Sequence, residues 1–422
     1  MERAHTIQIN HFYNRKVMEA MKFLRFVQTA LACGLLSVFA FAACSDDDTP
    51  APTPTPTEND AVMILDKDKR DMIYSMVDLE GDKGRIYEIN YTEDYKLDAA
   101  LDADIDGVPA LLGFVKQNLL DVQSTKPQAV SYGAGCSAFA CPDKTSGDFL
   151  MGRNFDFNHI DATTGERTMI PVIAVHTAPK GGKKSVSFVD GLFIGYKSGF
   201  YTDGKSDLSM LMALPYVLLD GINEDGFAIC VLKLDGKPTK QEQPGKKKIF
   251  TTVAMRMLLD RASTVKEAVE MLKQYNMCMD NDPASYHYLI ADATGDFAIV
   301  EYTNSDLEQH PDKMEVHTGD DAWRYVTNFY VSSSMADTDH GFNHSTHGMA
   351  RYLTLRDRLA QLNYRTTPAE AFALLQDVAQ GPEHPELSTG FTQWSEVYNL
   401  SRKSLTLSIL REWNKSFEFK VK

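Results

Sequence analysis

The most informative part of this chain is the sequence Gly-Cys-Ser-Ala-Phe-Ala-Cys at residues 135–141, followed by Phe-Leu-Met-Gly-Arg-Asn-Phe-Asp-Phe at residues 149–157. Both runs are dominated by small and apolar residues, and residues 142–147 between them supply turn formers. Two strand-like runs joined by a short turn predict a β-hairpin. Cys136 would lie at the start of its first strand.

Cys136 is a candidate nucleophile. A free thiol, with a pKa of about 8.5, is mostly protonated at neutral pH and needs a charged or basic neighbour to react. In the second strand, Arg153 can stabilise a thiolate and Asp156 can hold an amine. If the bond between Gly135 and Cys136 is cut, the new α-amino group, with a pKa of about 7.7 to 8.0, can act as the base for the thiol. Such a site requires no histidine.

Two alternatives stand beside this interpretation. An arbitrary cysteine is more often a small buried residue than a nucleophile. Cys141 is the second cysteine of the hairpin, but Pro142 follows it, and we expect that this Cys-Pro context does not supply a cleavage site like the one at Gly135. The sequence therefore favours Cys136.

The order of motifs resembles the N-terminal-nucleophile (Ntn) hydrolases that cleave linear amides. This group contains choloylglycine (bile-salt) hydrolase, penicillin V acylase and related acyl-transferring peptidases. The similarity begins at Cys136 and the Gly-Arg-Asn-Phe-Asp run, and several ordered matches are more specific than any single motif. The further matches are residues 220–226, 287–292, 326–328 and 351–352. The resemblance implies an α+β fold, the four-layer αββα Ntn sandwich.

The resemblance also implies a role for each candidate residue. Cys136 would attack an amide carbonyl and form a thioester acyl-enzyme. Arg153 would lie beside the thiol, and Asp156 would receive the α-amino group or position water. Asn328 would serve the oxyanion or the substrate amide through its NH2 donor, and Arg351 would complete the charged network.

Two features of the sequence do not fit this pattern simply. Arg153 and Asp156 are three residues apart, so an unbroken strand would direct them to opposite faces. We therefore expect a bend or bulge near Asn154. In addition, Lys233 occupies the position at which bile-salt hydrolases carry an oxyanion-hole asparagine. Its ammonium could stabilise an oxyanion, or Lys233 could be a solvent-facing strand residue.

The N-terminus predicts export. Lys22 and Arg25 precede an apolar run that ends in small residues directly before Cys44, as in a signal peptide with a lipobox. Residues 1–43 would be removed, Cys44 would be lipidated, and residues 44–57 would form a stiff linker rich in proline and threonine. Residues 58–135 would be a propeptide-like segment that docks on the amidase domain, residues 136–422, through an apolar helix.

Composition excludes several classes of function. The net charge of -15 and the absence of a dominant basic stretch argue against nucleic-acid binding. His340, His344 and His347 lie in a polar loop without a zinc-binding helix motif, so we expect no metal. There is no phosphate-binding glycine motif either, and the chemistry is expected to need no cofactor.

Periodicity predicts the remaining elements, including helices that begin with capping boxes at Thr264 and Thr367. Strands are expected at residues 84–91, 170–176, 186–193, 216–219, 227–232, 286–292, 297–302, 397–400 and 404–410, and helices at residues 108–122, 251–260, 264–274, 349–362 and 368 onward.

Together these observations predict a lipid-anchored outer-membrane enzyme, facing the surface or the periplasm, that hydrolyses a small-molecule N-acyl amide. Its substrate would be a bile-salt conjugate, an N-acyl amino acid or a lipid amide. The membrane would be contacted only through the lipid, and self-association is left open. The alternatives are acyl transfer to an amine and a surface lipoprotein that binds without catalysis.

Overall fold

The predicted hairpin around Cys136 is present and lies inside a six-stranded antiparallel sheet. We describe a computed structural model for residues 66–120, 135–160, 164–279, 284–304, 310–344, 347–381 and 390–422. Strand β3 pairs with β4 without interruption, from Gly135 opposite Asp156 to Pro142 opposite Phe149. All of the described residues belong to one compact unit.

The described part of the chain contains seventeen strands and seven α-helices. The strands are β1 (Val77–Asp78), β2 (Ile86–Tyr91), β3 (Gly135–Pro142), β4 (Phe149–Asp156), β5 (Val172–Thr177), β6 (Ser185–Asp190), β7 (Asp220–Asn223), β8 (Ala228–Asp235), β9 (Lys248–Phe250), β10 (Asn276–Cys278), β11 (Ala284–Ala291), β12 (Phe297–Thr303), β13 (Lys313–His317), β14 (Tyr325–Val326), β15 (Thr392–Asn399), β16 (Ser404–Ile409) and β17 (Phe417–Lys420). The helices are α1 (Lys67–Tyr74), α2 (Leu97–Asp102), α3 (Val108–Asn118), α4 (Thr251–Arg261), α5 (Val265–Leu272), α6 (Met349–Gln361) and α7 (Pro368–Asp377).

Two large sheets contain most of these strands. The first has nine strands in the order β1-β2-β5-β6-β7-β8-β11-β12-β13, and the second has six in the order β14-β3-β4-β15-β16-β17. Only one neighbouring pair in these two sheets, β2 with β5, runs parallel. Strand β3, which carries Cys136, is therefore flanked by β14 and β4.

Three apolar clusters show how the layers stack. One face of the nine-stranded sheet packs on helices α1 to α5. Its other face packs on the inner face of the six-stranded sheet, and Cys136, Phe155 and Trp394 belong to that central cluster. The outer face of the six-stranded sheet packs on α6 and α7. Helix, sheet, sheet and helix follow one another, which confirms the predicted αββα order.

The segment before the hairpin is part of the first sheet. Strand β2 pairs with β5 along its whole length, and Ile86 and Ile89 contribute to the two clusters on opposite faces of the sheet. Arg85 binds the Glu412 carboxylate near the C-terminus at 2.5 Å. The apolar face of α3 is covered as predicted, since Leu111 and Val115 are buried in the helix-facing core.

Most of the predicted elements lie within a few residues of their expected positions. One strand prediction is wrong: β7 occupies Asp220–Asn223, whereas the preceding residues belong to a buried 3-10 helix, Leu208–Tyr216, and its exit. The capping box at Thr367 is complete. At Thr264 only half is present, because the Glu267 carboxylate accepts from the Ser263 N–H instead.

The predicted signal peptide, the lipid attachment at Cys44 and the Pro/Thr linker lie outside the described residues. Within the described ranges, no helix combines the length and apolar character needed to cross a membrane.

Candidate active site

Cys136 lies at the beginning of β3 with its side chain in the cluster between the two sheets. It is 2% exposed and pairs across the hairpin with Phe155. Cys141 is five residues further along the strand, and alternation places it on the opposite face. There its sulfur lies 3.2 Å from the Thr366 hydroxyl, in the cluster covered by α6 and α7. The two cysteines of the hairpin therefore occupy different compartments.

Arg153 is the cation next to the thiol. Its Nη2 lies 3.8 Å from Cys136 Sγ and donates a hydrogen bond to the Val231 carbonyl at 3.1 Å. The guanidinium is fully buried and stacks near the rings of Phe155 and Trp394. A buried cation needs a paired anion to offset its desolvation.

Asp220 supplies that anion. Its Oδ2 lies 2.9 Å from Arg153 Nη1, and it accepts hydrogen bonds from the Trp394 indole and the Tyr398 hydroxyl, both at 3.3 Å. Glu396, which pairs with Arg153 across β4 and β15, is a second buried carboxyl group in the same cluster. Burial, followed by the charge of Asp220, raises the pKa of Glu396 well above its ordinary value. We therefore assign the negative charge to Asp220 and a proton to Glu396.

Asp156 lies on the other face of β4. Its Oδ1 accepts from the Thr392 hydroxyl at 2.5 Å and its Oδ2 from the Gln380 amide at 2.8 Å. Strand β4 pairs with β3 in unbroken register here, so the bulge predicted near Asn154 is absent. Arg153 and Asp156 point to opposite sheet faces: Arg153 lies beside the Cys136 sulfur, whereas the Asp156 carboxylate lies 3.6 Å from Arg351.

The irregularity is found in the neighbouring strand instead. The pairing of β15 with β4 shifts between Thr392 and Trp394, so Gln393 is an extra residue opposite the junction of Phe155 and Asp156. A bulge changes which face the following residues occupy. Because of this shift, Thr392 shares a face with Asp156 while Trp394 remains in the core between the sheets.

Asn328 and Arg351 contact the main chain of Cys136. The Cys136 N–H donates to Asn328 Oδ1 at 2.7 Å, and Arg351 Nη2 donates to the same oxygen at 2.7 Å. Arg351 Nη1 donates to the Cys136 carbonyl and lies 3.6 Å from the Asp156 carboxylate. Two donors on one atom identify it as the amide oxygen. The other four predicted residues therefore meet around Cys136, three by direct contact and Asp156 through Arg351.

The NH2 group of Asn328 was predicted to serve the oxyanion or the substrate amide. One of its N–H bonds donates to the Lys233 carbonyl at 2.8 Å, and the amide oxygen, not the nitrogen, faces the main-chain nitrogen of Cys136. Lys233 thus contributes its carbonyl to the site, while its ammonium pairs with Asp235 at 3.4 Å.

A buried histidine and glutamate support the segment that carries Asn328. His287 Nε2 donates to the Thr327 carbonyl at 2.8 Å, and its Nδ1 lies 2.9 Å from the Glu301 carboxylate. That carboxylate also accepts N–H bonds from Val331 and Ser332. An ionised carboxylate with several donors is favoured, and these hydrogen bonds, led by that of His287, hold the pKa of Glu301 below its ordinary value against the effect of burial.

Residues 136–343 match the model of the linear amide C-N hydrolases, choloylglycine hydrolase family. This region of the chain belongs to that family. The protein is thus a hydrolase of carbon-nitrogen bonds in linear amides, other than peptide bonds. No curated protein sequence matches the chain.

Solved structures of several hydrolases are similar to this one. A mutant conjugated bile acid hydrolase from Clostridium perfringens has 16% identity and a TM-score of 0.44, covering 68% of this chain and 92% of its own. Penicillin V acylase from Agrobacterium tumefaciens has 18% identity and a TM-score of 0.43, covering 68% of this chain and 86% of its own.

The structure of the hydrolase adds residues that sequence reasoning missed. Glu396 carried a usable signal, because it lies between Trp394 and Tyr398 at the spacing of one strand face. An acid on the apolar face of a strand needs a buried partner. The other missed residues are Asp220 as the partner of Arg153, Gln380 and Thr392 as partners of Asp156, and His287 and Glu301 behind Asn328.

In the histidine loop, His344 Nε2 lies 3.2 Å from the Asp337 carbonyl, and the main chain of His340 pairs with Tyr330. Among the described residues, no group of histidine, cysteine, aspartate or glutamate side chains is arranged to hold a metal ion.

We expect Glu301→Gln to lower kcat of the hydrolase by about tenfold and its free energy of unfolding by about 1 to 3 kcal/mol. The NH2 group of the new glutamine would face one of the groups that now donate a hydrogen bond to Glu301. That buried N–H would lose its acceptor. Steady-state kinetics and urea unfolding measure both effects. The matched control is Glu88→Gln, which alters another histidine–carboxylate pair, on β2 and β5. An equal loss of kcat in both variants would contradict a link between Glu301 and Asn328.

Proposed function

We propose that this hydrolase uses Cys136 as an N-terminal nucleophile, exposed by cleavage of the bond between Gly135 and Cys136. The supporting observation is the distribution of contacts around this one residue. A buried guanidinium, Arg153, approaches its sulfur, and a hydrogen-bond acceptor, Asn328 Oδ1, approaches its nitrogen. Both atoms that an N-terminal nucleophile needs are thereby positioned before any cut is made.

In the uncut chain, the Cys136 thiol must lose its proton to become a good nucleophile. Burial raises the pKa of Cys136 above its ordinary value, although the charge of Arg153 opposes this effect. A neutral thiol is a poor nucleophile. An α-amino group on the same residue would remove its proton at neutral pH, with Asn328 Oδ1 holding that group in place.

We propose that this cleavage is autocatalytic. Sγ attacks the Gly135 carbonyl carbon, the bond to the Cys136 nitrogen breaks, and that nitrogen takes up the proton that the thiol gives up. The resulting thioester joins Gly135 to the Cys136 side chain. Water then cleaves the thioester, which releases the Gly135 carboxylate and leaves Cys136 with a free amine and thiol.

Amide hydrolysis repeats this chemistry on a substrate. The α-amino group accepts the thiol proton as Sγ attacks the amide carbonyl, and it returns the proton to the leaving amine when the C–N bond breaks. Water, deprotonated by the same group, cleaves the thioester and releases a carboxylic acid. The second N–H of Asn328 is our candidate donor to the oxyanion.

A substrate panel tests the proposal. We expect the mature protein to release an amine from a small-molecule N-acyl amide, with glycine- and taurine-conjugated bile salts, N-acyl amino acids and fatty N-acyl amides as the candidates. Cys141→Ala is the matched control, because that thiol lies on the opposite face of the hairpin. Formation of an acylated product from an added amine would instead indicate acyl transfer. Full ligand binding by Cys136→Ala with no turnover by the parent would favour a binding lipoprotein.

The pH dependence of kcat/KM tests the role of Asp156. Burial raises the pKa of this carboxyl group to about 6, although Arg351 and Thr392 favour its ionised form. An ionised Asp156 would balance Arg351 and the α-ammonium group, so we expect kcat/KM to rise with pH through about 6. In Asp156→Asn, this rise at acidic pH should disappear, and the maximum value of kcat/KM should fall. An unchanged acid limb in that variant would assign it to another group.

The same raised pKa affects stability with the opposite sign. In the folded protein Asp156 keeps its proton to a higher pH than in the unfolded chain, where aspartates have a pKa of about 3.9. Its contribution to stability is therefore fully present below about 3.9 and is lost as pH rises through about 6. As pH rises through about 6, the expected gain in kcat/KM would therefore come with a loss of folding stability.

The proposal extends to the cell envelope, where Cys44 would be lipidated and the enzyme held at the outer membrane. Cys44 and Cys136 lie on opposite sides of the proposed cut, so only non-covalent contacts would retain the catalytic fragment. We expect the two fragments to co-elute in size-exclusion chromatography and to separate in guanidinium chloride, because β2 is an internal strand of the large sheet. Elution of the fragment that begins at Cys136 by itself, without denaturant, would contradict this prediction.

A further inference from the structure

Gln380 is a buried residue that lies just after α7 and is held at every polar group of its main chain and side chain. Its N–H donates to the Thr392 hydroxyl at 2.8 Å, and its carbonyl accepts from the Thr392 N–H at 2.9 Å. Its side-chain oxygen accepts from the Gly390 N–H at 3.1 Å, and its side-chain nitrogen donates to Asp156 Oδ2 at 2.8 Å. Moving this side chain would break at least two hydrogen bonds.

Gly135 packs directly against this amide. The two meet because Gly135 pairs with Asp156 across the hairpin, and Asp156 binds Gln380. A β-carbon on Gly135 would lie 2.3 Å from Gln380 Nε2 and 3.2 Å from its Cδ, well inside van der Waals contact. The side chain of Gln380 therefore fills the space that a larger residue at position 135 would need.

The requirement for glycine here is steric. Many glycines of this chain have positive φ angles, where other residues are strained, but Gly135 is not among them. Its backbone is that of an ordinary β-strand residue. An alanine could adopt this conformation if the neighbouring side chain were absent.

We propose that Gln380 is a specificity-determining residue for the activating cleavage, because it restricts the residue before the cut to glycine. This inference rests on the proposed function. With any other residue at position 135, either Gln380 moves and releases Asp156, or the start of β3 moves. The second change shifts Cys136 from Arg153 and Asn328, the groups that prepare its sulfur and nitrogen.

Four proteins test the proposal: the parent, Gly135→Ala, Gln380→Ala and the double variant. Intact mass, followed over time after purification, measures the cleaved fraction. We expect Gly135→Ala to be cleaved at least about tenfold more slowly than the parent, and the double variant to be cleaved at the rate of Gln380→Ala. Gly113→Ala is the control, since a β-carbon there meets no atom within 4 Å. Cleavage of Gly135→Ala at the parental rate would overturn the proposal.

A second measurement covers the case in which Gln380→Ala is itself uncut. In a Cys136→Ala background, which cannot react, thermal unfolding reports the clash alone. We expect Gly135→Ala to lower Tm by roughly 4 °C or more when Gln380 is present, and by clearly less when Gln380→Ala is added. Equal shifts in both backgrounds would overturn the steric proposal. Failure of the parent to cleave would instead contradict the proposed function, so the two failures can be told apart.

Discussion

Replacing Cys136 with alanine is expected to leave a single uncut chain and to lower amide hydrolysis by at least about 10⁴-fold, as loss of a covalent nucleophile does elsewhere. The reason is that one sulfur would perform both reactions. Intact mass and a discontinuous amine-release assay measure the two losses. The variant should fold, because shortening the Cys136 side chain to a methyl group removes only one buried heavy atom.

Cys141→Ala is the control for this prediction. Burial raises the pKa of Cys141 to about 11, and its sulfur contacts Thr366 in the cluster beneath α6 and α7. We expect this variant to be cleaved and to turn over substrate at rates within a few-fold of the parent. Loss of activity in Cys141→Ala, with Cys136→Ala still active, would reverse the assignment of the nucleophile.

Replacing Arg153 with methionine is expected to remove activity and to lower the free energy of unfolding by about 3 to 5 kcal/mol, as breaking a buried ion pair does. Arg153 is the partner of Asp220 at 2.9 Å, and no solvent reaches either side chain. The variant would leave Asp220 charged in the core, beside the protonated Glu396. It would also remove the only guanidinium within 4 Å of the Cys136 sulfur among the contacts in the described residues.

The double variant Arg153→Met/Asp220→Asn separates these two effects. With both charges gone, most of the lost stability should return, whereas kcat should remain about 10² to 10³-fold below the parent because the thiolate has no cation beside it. Urea unfolding and single-turnover kinetics measure the two quantities. Recovery of activity together with stability would mean that Arg153 acts only through the fold.

The sequence pattern was sufficient to predict the hairpin, whereas the residues that meet at Cys136 and the order of layers were implied by the family resemblance. Local sequence patterns predicted the hairpin, because both strands and their turn are adjacent in the chain. The convergence of Asn328 and Arg351 on Cys136 was implied only by the family resemblance, since residues 192 and 215 positions away have no local signal of contact.

The position of Asp156 shows what local pattern could not supply. Alternation correctly places Arg153 and Asp156 on opposite faces of β4, but we expected a bulge in β4 to bring them together. The site instead uses both faces around one residue, and the bulge lies in β15 at Gln393. That strand pairs with β4 from more than 230 residues away, and its register depends on tertiary packing.

The pair of Asp220 and Glu396 was missed for a related reason. Asp220 follows the strand predicted at residues 216–219 and Glu396 precedes the strand predicted at residues 397–400, and neither acid reveals its buried partner in the linear sequence. Only the packing of the two sheets brings both acids to Arg153. The buried 3-10 helix at Leu208–Tyr216 was missed because its continuous apolar run has neither helical nor strand periodicity.

In the proposed reaction, Cys136 is the N-terminal residue that carries the acyl group. The measurement that tests it is mass spectrometry of mature protein quenched in acid during turnover of an N-acyl amide, followed by peptide mapping of the trapped thioester. We predict an acyl group on the sulfur of a peptide that begins at Cys136. An acyl group on another residue, or turnover by a chain still joined at Gly135, would contradict the account.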